Sequence, residues 1–262
     1  MLPNEQRDPL RPTGRVFYLK ERTFNMLKKD LLLKNPLRLL GHDSDDIITE
    51  GDFGVILARA GVGKTAIGVQ LAINSQLRNQ NVLHIALNDP VQKVCLWYDE
   101  VLRNLISQHD ISQEARLWDI ILPHRFIMTF KVERFSVPIL EERLNDLIEQ
   151  EIFVPRMLLV DGFPFKNESR QFLEDLKTLA KKLGFHVWFT MNIHRHNQPA
   201  PDGFPPEFSR FEDLFEVAIQ LIPEGKEVFV RPLKGIGGKS QSPGLSLNPS
   251  TLLFHVPDDP LT

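Results

Sequence analysis

Short, continuously apolar runs alternate along this chain with longer stretches whose apolar residues recur at three- and four-residue spacing. The runs at 53–57, 82–87, 126–130, 157–161 and 187–191 read as buried strands. Between them, residues 65–79, 91–108, 114–121 and 168–183 read as helices. The second carries Val94, Trp97, Val101 and Leu105 near one face, and the last carries Phe172, Leu176, Leu179 and Leu183 on one stripe. Gly184 is positioned to cap that helix, and Val137, Leu140, Leu144, Leu147 and Ile148 mark another amphipathic helix. The end of the chain changes character. Residues 217–222 and 227–231 predict a strand pair around Pro223-Glu224-Gly225-Lys226, and 252–256 a last strand. The alternation predicts an α/β fold: a mostly parallel twisted sheet flanked by helices on both faces, with a β-rich C-terminal end.

Ahead of this pattern, residues 1–15 carry three prolines and read as an arm. Residues 16–40 look helical until Asn35-Pro36 interrupts them. Their basic residues, Lys20, Arg22, Lys28, Lys29, Lys34 and Arg38, read first as a solvated face and only second as a contact for nucleic acid or a partner. A polar turn at 41–46 then divides the chain into an N-terminal arm and helix, 1–46, and a main domain, 47–262.

The chemistry concentrates in Ala58-Arg59-Ala60-Gly61-Val62-Gly63-Lys64-Thr65, between the first strand and the helix after it. Strand, glycine-rich loop and helix in that order are the context of a phosphate-binding loop. Gly61 and Gly63 can turn successive N–H groups toward one anion, and the helix start at Ala66 adds its positive dipole end. In this reading Ala60, Gly61, Val62, Gly63 and Ala66 line the phosphates and Lys64 reaches the β- and γ-phosphates. The Thr65 hydroxyl holds Mg²⁺. Ala58 stands where the strict pattern has glycine, a position that asks mainly for smallness. Asp161, at the end of an apolar strand, is the expected partner of Thr65 on the metal; turn chemistry at Asp161-Gly162 is the competing reading.

Charge and cysteine narrow the picture further. With 31 basic against 34 acidic residues the net charge is −3, so no global positive field points to nucleic acid. The single cysteine, Cys95, excludes an internal disulfide, fits a reducing compartment, and reads as a buried structural thiol. The N-terminus lacks a signal-peptide core and no run approaches the ~20 apolar residues of a membrane helix, so a cytoplasmic location is expected.

Taken together, the loop, the spacing to the Asp161 strand and the β-rich end with its Lys/Gly loop resemble the RecA-type P-loop ATPase core, nearest the DnaB and KaiC/RadA-like branches. The likeness covers roughly residues 47–256. It implies ATP and Mg²⁺ as ligands, ATP hydrolysis, homo-oligomerisation, and coupling of nucleotide state to a partner or to DNA. It also implies a glutamate at the end of the strand after the loop helix, activating water. Here Asn88 occupies that place with Asp89 beside it. An amide cannot take the proton, so either Asp89 substitutes or hydrolysis is slow. The resemblance further makes Asn192 a γ-phosphate sensor, and Arg231 or Lys234 a cation reaching a neighbouring subunit's nucleotide. An ATP-dependent regulatory or assembly module with little turnover is the first alternative. The second is a ParA/MinD-like dimeric ATPase, with Arg59 at that family's signature lysine, although those loops normally lie close to the N-terminus.

Other signals are weaker. No guanine-recognition motif of a GTPase is present, nor the arginine-rich lid of a small-molecule kinase. His194-Arg195-His196 lacks the further ligands a metal site needs. Glu141-Glu142 reads as a solvated pair, and Phe204, Phe208, Phe211 and Phe215 as core.

Overall fold

The apolar runs at 53–58 and 82–86 are strands covered on both faces, which is why they carry no polar alternation. A computed structural model describes residues 14–33, 36–39, 47–106, 114–194, 203–225, 227–236 and 245–255. Among these, β1 (Phe53–Ala58), β2 (Val82–Ala86), β3 (Arg125–Thr129), β4 (Met157–Asp161), β5 (His186–Asn192) and β6 (Val217–Glu224) form parallel neighbours. β7 (Glu227–Lys234), β8 (Ser246–Leu247) and β9 (Phe254–His255) continue the sheet antiparallel, in the order β3-β2-β4-β5-β1-β6-β7-β8-β9. The fold is therefore α/β with a mostly parallel sheet. Short β8 has no precedent in the hydropathy pattern, because two residues are too few to show a period.

Alternate residues of each strand enter two separate cores. Ile56, Val82, Leu159 and Ile219 face one side, covered by α3 (Lys64–Leu77), α4 (Val91–Ile106) and α5 (Glu114–Ile121). Val55, Leu83, Val160 and Val187 face the other, covered by α6 (Val137–Glu149), α7 (Ser169–Leu183) and α8 (Pro206–Ser209). α1 (Gly14–Leu33) and α2 (Pro36–Leu39) are two helices broken at the expected place. Phe24, Leu27, Leu31 and Leu37 from them join the α3-side core, so α1 and α2 pack against α3. None of the helices among the described residues is long and apolar enough to cross a membrane.

Three placements differ from the periodic reading. On α7 the buried stripe is Leu173, Leu176, Leu179 and Ala180, with Phe172 and Leu183 only partly covered. Gly184 does cap this helix, at φ 75°, its N–H donating to the Ala180 carbonyl at 2.9 Å. On α4 Trp97 is half-buried while neighbouring Tyr98 is fully buried. Cys95 is also half-buried on that helix, not the enclosed thiol expected. In each case the helix is rotated a fraction of a turn by what it packs on. Phe208, Phe211 and Phe215 do fall in the core.

One polar group lies under α4: His84 of β2 is wholly buried, its Nδ1 3.3 Å from the Tyr98 hydroxyl. Burial drives the His84 pKa down to about 4; the Asp161 and Asp89 carboxylates oppose the shift and the Arg125 guanidinium adds to it. The unfolded chain therefore binds this proton near pH 6.5 and the folded chain only near 4, so stability is full above 6.5 and falls as pH drops through that window. The expected loss is about 3 kcal/mol by pH 4. Urea titrations at pH 7 and pH 4.5 on the native chain and on His84→Leu test it, the variant being expected to lose less stability on acidification. An equal loss in both would show that His84 does not carry the effect.

Candidate functional site

The site lies at the carboxyl ends of β1 and β4, the edge where parallel strands deliver their last residues into a crevice. The 58–65 loop leaves β1 and enters α3 through Gly63, which takes φ 108°. A side chain there would be strained, and its Cβ would also lie 2.7 Å from Leu247 Cδ2. No side chain caps α3, so its first N–H groups open onto the loop. Lys64 is the most enclosed residue of the turn, 9% exposed, while Ala60 and Gly61 are exposed and Val62 is half-buried. Ala66 is buried against the sheet.

Lys64 folds back over the loop: its Nζ donates to the Arg59 carbonyl at 2.9 Å and the Ala58 carbonyl at 3.3 Å. Burial lowers its pKa from 10.5, and attraction to Asp161 partly opposes this. Thr65 follows on the first turn of α3 and donates its hydroxyl to Asp161 Oδ2 at 2.8 Å. Loop and carboxylate, 96 residues apart in sequence, are in direct contact.

A third residue completes this contact. Thr190 of β5 donates to Asp161 Oδ1 and accepts the Gly162 N–H at 3.2 Å. Both carboxylate oxygens are thus occupied by hydroxyl donors. Thr190 has no motif of its own. The adjacency of β5 and β4 sets its hydroxyl beside the carboxylate, and that adjacency is read from the sheet and not from the sequence. Asn192, expected as the polar sensor on this strand, is exposed beside Ala58 and makes no side-chain hydrogen bond among the described residues.

Asn88 and Asp89 stand just past β2. The Asn88 amide donates to the Gly162 carbonyl at 3.3 Å, fastening it to the turn after Asp161. Asp89 is paired with Lys93, one turn into α4, at 2.8 Å. Asp89, Lys93 and the 61–65 turn line one cavity of about 420 Å³, whose opposite wall is apolar: Trp97, Val228, Leu247 and Leu252. The C-terminal strands hold this wall in place, with Gln70 donating to the Leu252 carbonyl at 2.6 Å and Asn104 to that of Thr251 at 2.8 Å.

Arg231 and Lys234 separate. Lys234 Nζ is held within the chain by the Glu212 carboxylate at 2.8 Å and the Glu212 carbonyl at 2.7 Å. Arg231 is exposed and lines a different cavity together with Arg59. The His194 N–H donates to Glu207; Arg195 and His196 lie outside the described residues, as do Lys239 and Val256.

Thr65 and Asp161 offer two adjacent oxygens, and the described residues contain no cluster of three or more acidic, histidine or cysteine side chains suited to a metal. Two such oxygens are a donor set that Mg²⁺ accepts, since it takes one or two protein ligands and keeps waters. No protein-family model matches the chain, and no curated protein matches it either.

Proposed function

We propose that this chain is a RecA-like P-loop protein that binds Mg²⁺·ATP at the 58–65 loop and hydrolyses it slowly. The observation that carries the reading is the Thr65–Asp161 contact at 2.8 Å, which joins a glycine loop to a strand-end carboxylate. The mostly parallel sheet with an antiparallel C-terminal extension agrees with it.

In this reading the phosphates replace the Ala58 and Arg59 carbonyls as acceptors for Lys64, while Gly61, Gly63 and the start of α3 supply N–H donors. Mg²⁺, when bound, neutralises phosphate charge beside Thr65 and Asp161. Thr190 holds the Asp161 carboxylate in orientation. The apolar wall of Trp97, Leu247 and Leu252 suits the base.

Slow turnover rests on the groups past β2. Asn88 spends its amide on Gly162 and cannot accept a proton, and the one carboxylate beside it is neutralised by Lys93. The same facts favour the reading as an ATP-dependent assembly or regulatory module, with a second copy of the chain or DNA as the element that responds.

The test is calorimetric titration with Mg²⁺·ATP, steady-state hydrolysis with and without single- and double-stranded DNA, and the mass of the species in ATP. One ATP per chain with low turnover is expected; absence of ATP binding sinks the assignment. Asp89→Asn is expected to lower residual turnover about tenfold or more while leaving ATP affinity unchanged, the signature of a lost general base. Unaltered turnover removes Asp89 from the chemistry.

A further inference from the structure

A second cavity, of about 410 Å³, opens beside the carboxyl ends of β1, β5 and β6. Its lining shares only Pro223 with the cavity next to Thr65. Its lining includes Arg59, the first residue past β1, and Arg231, which pairs in register with Gln220 across the β6–β7 hairpin. Neither guanidinium makes a hydrogen bond or ion pair among the described residues.

Several other cations of the chain are paired. Arg156, Arg170, Lys177, Lys182 and Lys234 each sit on a carboxylate at 2.7–3.0 Å. The chain has acids to spare, 34 against 31 basic residues. Glu207, the acid of this same cavity, accepts the His194 N–H at 3.1 Å. Two guanidiniums around one opening therefore outnumber its one carboxylate, and neither is paired with an anion among the described residues. Arg presents a planar fork of donors that matches phosphate oxygens, so the missing partner is a phosphate before it is a simple halide or a single carboxylate. The rest of the lining joins apolar Pro205, Leu221 and Pro223 to polar Gln220, His194 and Glu207, and the volume falls in the range of small-molecule sites.

We propose that this cavity binds a free phosphorylated small molecule of nucleoside-monophosphate size, its phosphate held by Arg59 and Arg231. The site is distinct from the proposed ATP site but touches it through Pro223, which lines both cavities, and through Arg59, which lines this one while its carbonyl holds Lys64 Nζ at 2.9 Å. Occupancy of one site therefore changes the affinity of the other, and by linkage the change is reciprocal.

The experiment uses the full chain carrying Lys64→Ala, so that the proposed ATP site is disabled, at concentrations where sedimentation gives a monomer. AMP, GMP, CMP and UMP, with inorganic pyrophosphate alongside, are titrated by calorimetry. At least one nucleoside monophosphate is expected to saturate one site per chain, and Arg59→Ala or Arg231→Ala, each added to that background, to weaken it about tenfold or more. Arg231 is exposed and Arg59 half-exposed, so neither replacement disturbs the core. The proposal is overturned if no monophosphate saturates, if both arginine variants bind as tightly as the parent, or if binding appears only in species larger than a monomer. The last result would assign the arginines to phosphates carried by a neighbouring copy. Failure of the ATP reading would show separately, as absent ATP binding in the unmodified chain.

Discussion

Lys64→Ala is expected to abolish measurable Mg²⁺·ATP binding while the chain stays folded. In the proposed complex the ammonium leaves two backbone carbonyls for phosphate oxygens, exchanging neutral acceptors for charged ones. Hydrogen bonds to charged groups contribute roughly 1.5–3 kcal/mol each, so losing contacts to two phosphates lowers affinity by at least about 100-fold. Folding is affected less. The depressed pKa of Lys64 means that holding its charge in this turn costs stability at neutral pH; the cost is relieved as pH rises through the lowered value toward 10.5. Alanine removes that cost together with the two bonds; the Ala58 carbonyl still accepts the Ile193 N–H at 3.1 Å, and the Arg59 carbonyl lies next to exposed Ala60. Thermal unfolding near neutral pH should thus be little changed, and the alkaline gain in stability should vanish. Calorimetry with Mg²⁺·ATP is the decisive measurement. Tight binding by the folded variant would remove the loop from nucleotide recognition altogether.

The second large effect is expected at Asp161, where asparagine should uncouple ATP binding from magnesium. The carboxylate accepts from Thr65 on one oxygen and from Thr190 on the other. An asparagine has one acceptor oxygen, and its NH₂ group cannot accept from either hydroxyl, so one of the two bonds is lost. It also brings no negative charge to a divalent cation. ATP affinity in Asp161→Asn should no longer respond when Mg²⁺ is exchanged for EDTA, and hydrolysis should fall at least about 100-fold, the scale on which charge-stabilising groups act. Thr190→Val separates the causes: it keeps the charge and releases the orientation, so magnesium dependence should survive with slower turnover. A magnesium response in Asp161→Asn equal to that of the parent would show that this carboxylate is not the cation's ligand.

Much of the framework was legible along the chain. The runs at 157–161 and 114–121 became a strand and a helix with the bounds read from hydropathy, because a buried strand and an amphipathic helix each declare a local period. Gly63 and Gly184 were likewise readable, since positive φ favours glycine wherever it occurs. The 58–65 loop and Asp161 were singled out as one site, and the fold does bring Thr65 against that carboxylate.

Other features were settled across the sheet. Thr190 reaches Asp161 because β5 lies against β4, and strand order is a property of the whole sheet that no local period encodes. Lys234 is engaged by Glu212, 22 residues away, whereas Arg231 three positions earlier is free to line a cavity; the hairpin written in one dimension makes them look equivalent. The rotation of α4, which buries Tyr98 beside His84 of β2 and leaves Trp97 half-exposed beside the glycine loop, depends on packing across elements. The sequence by itself determined the α/β class, the loop conformation and the residue types of the site, because these depend on torsions and burial of neighbours in the chain. Only the tertiary structure decided which carboxylates remain available and which cations remain unpaired, because charges choose partners by distance in space, and strand pairing rather than sequence separation sets that distance.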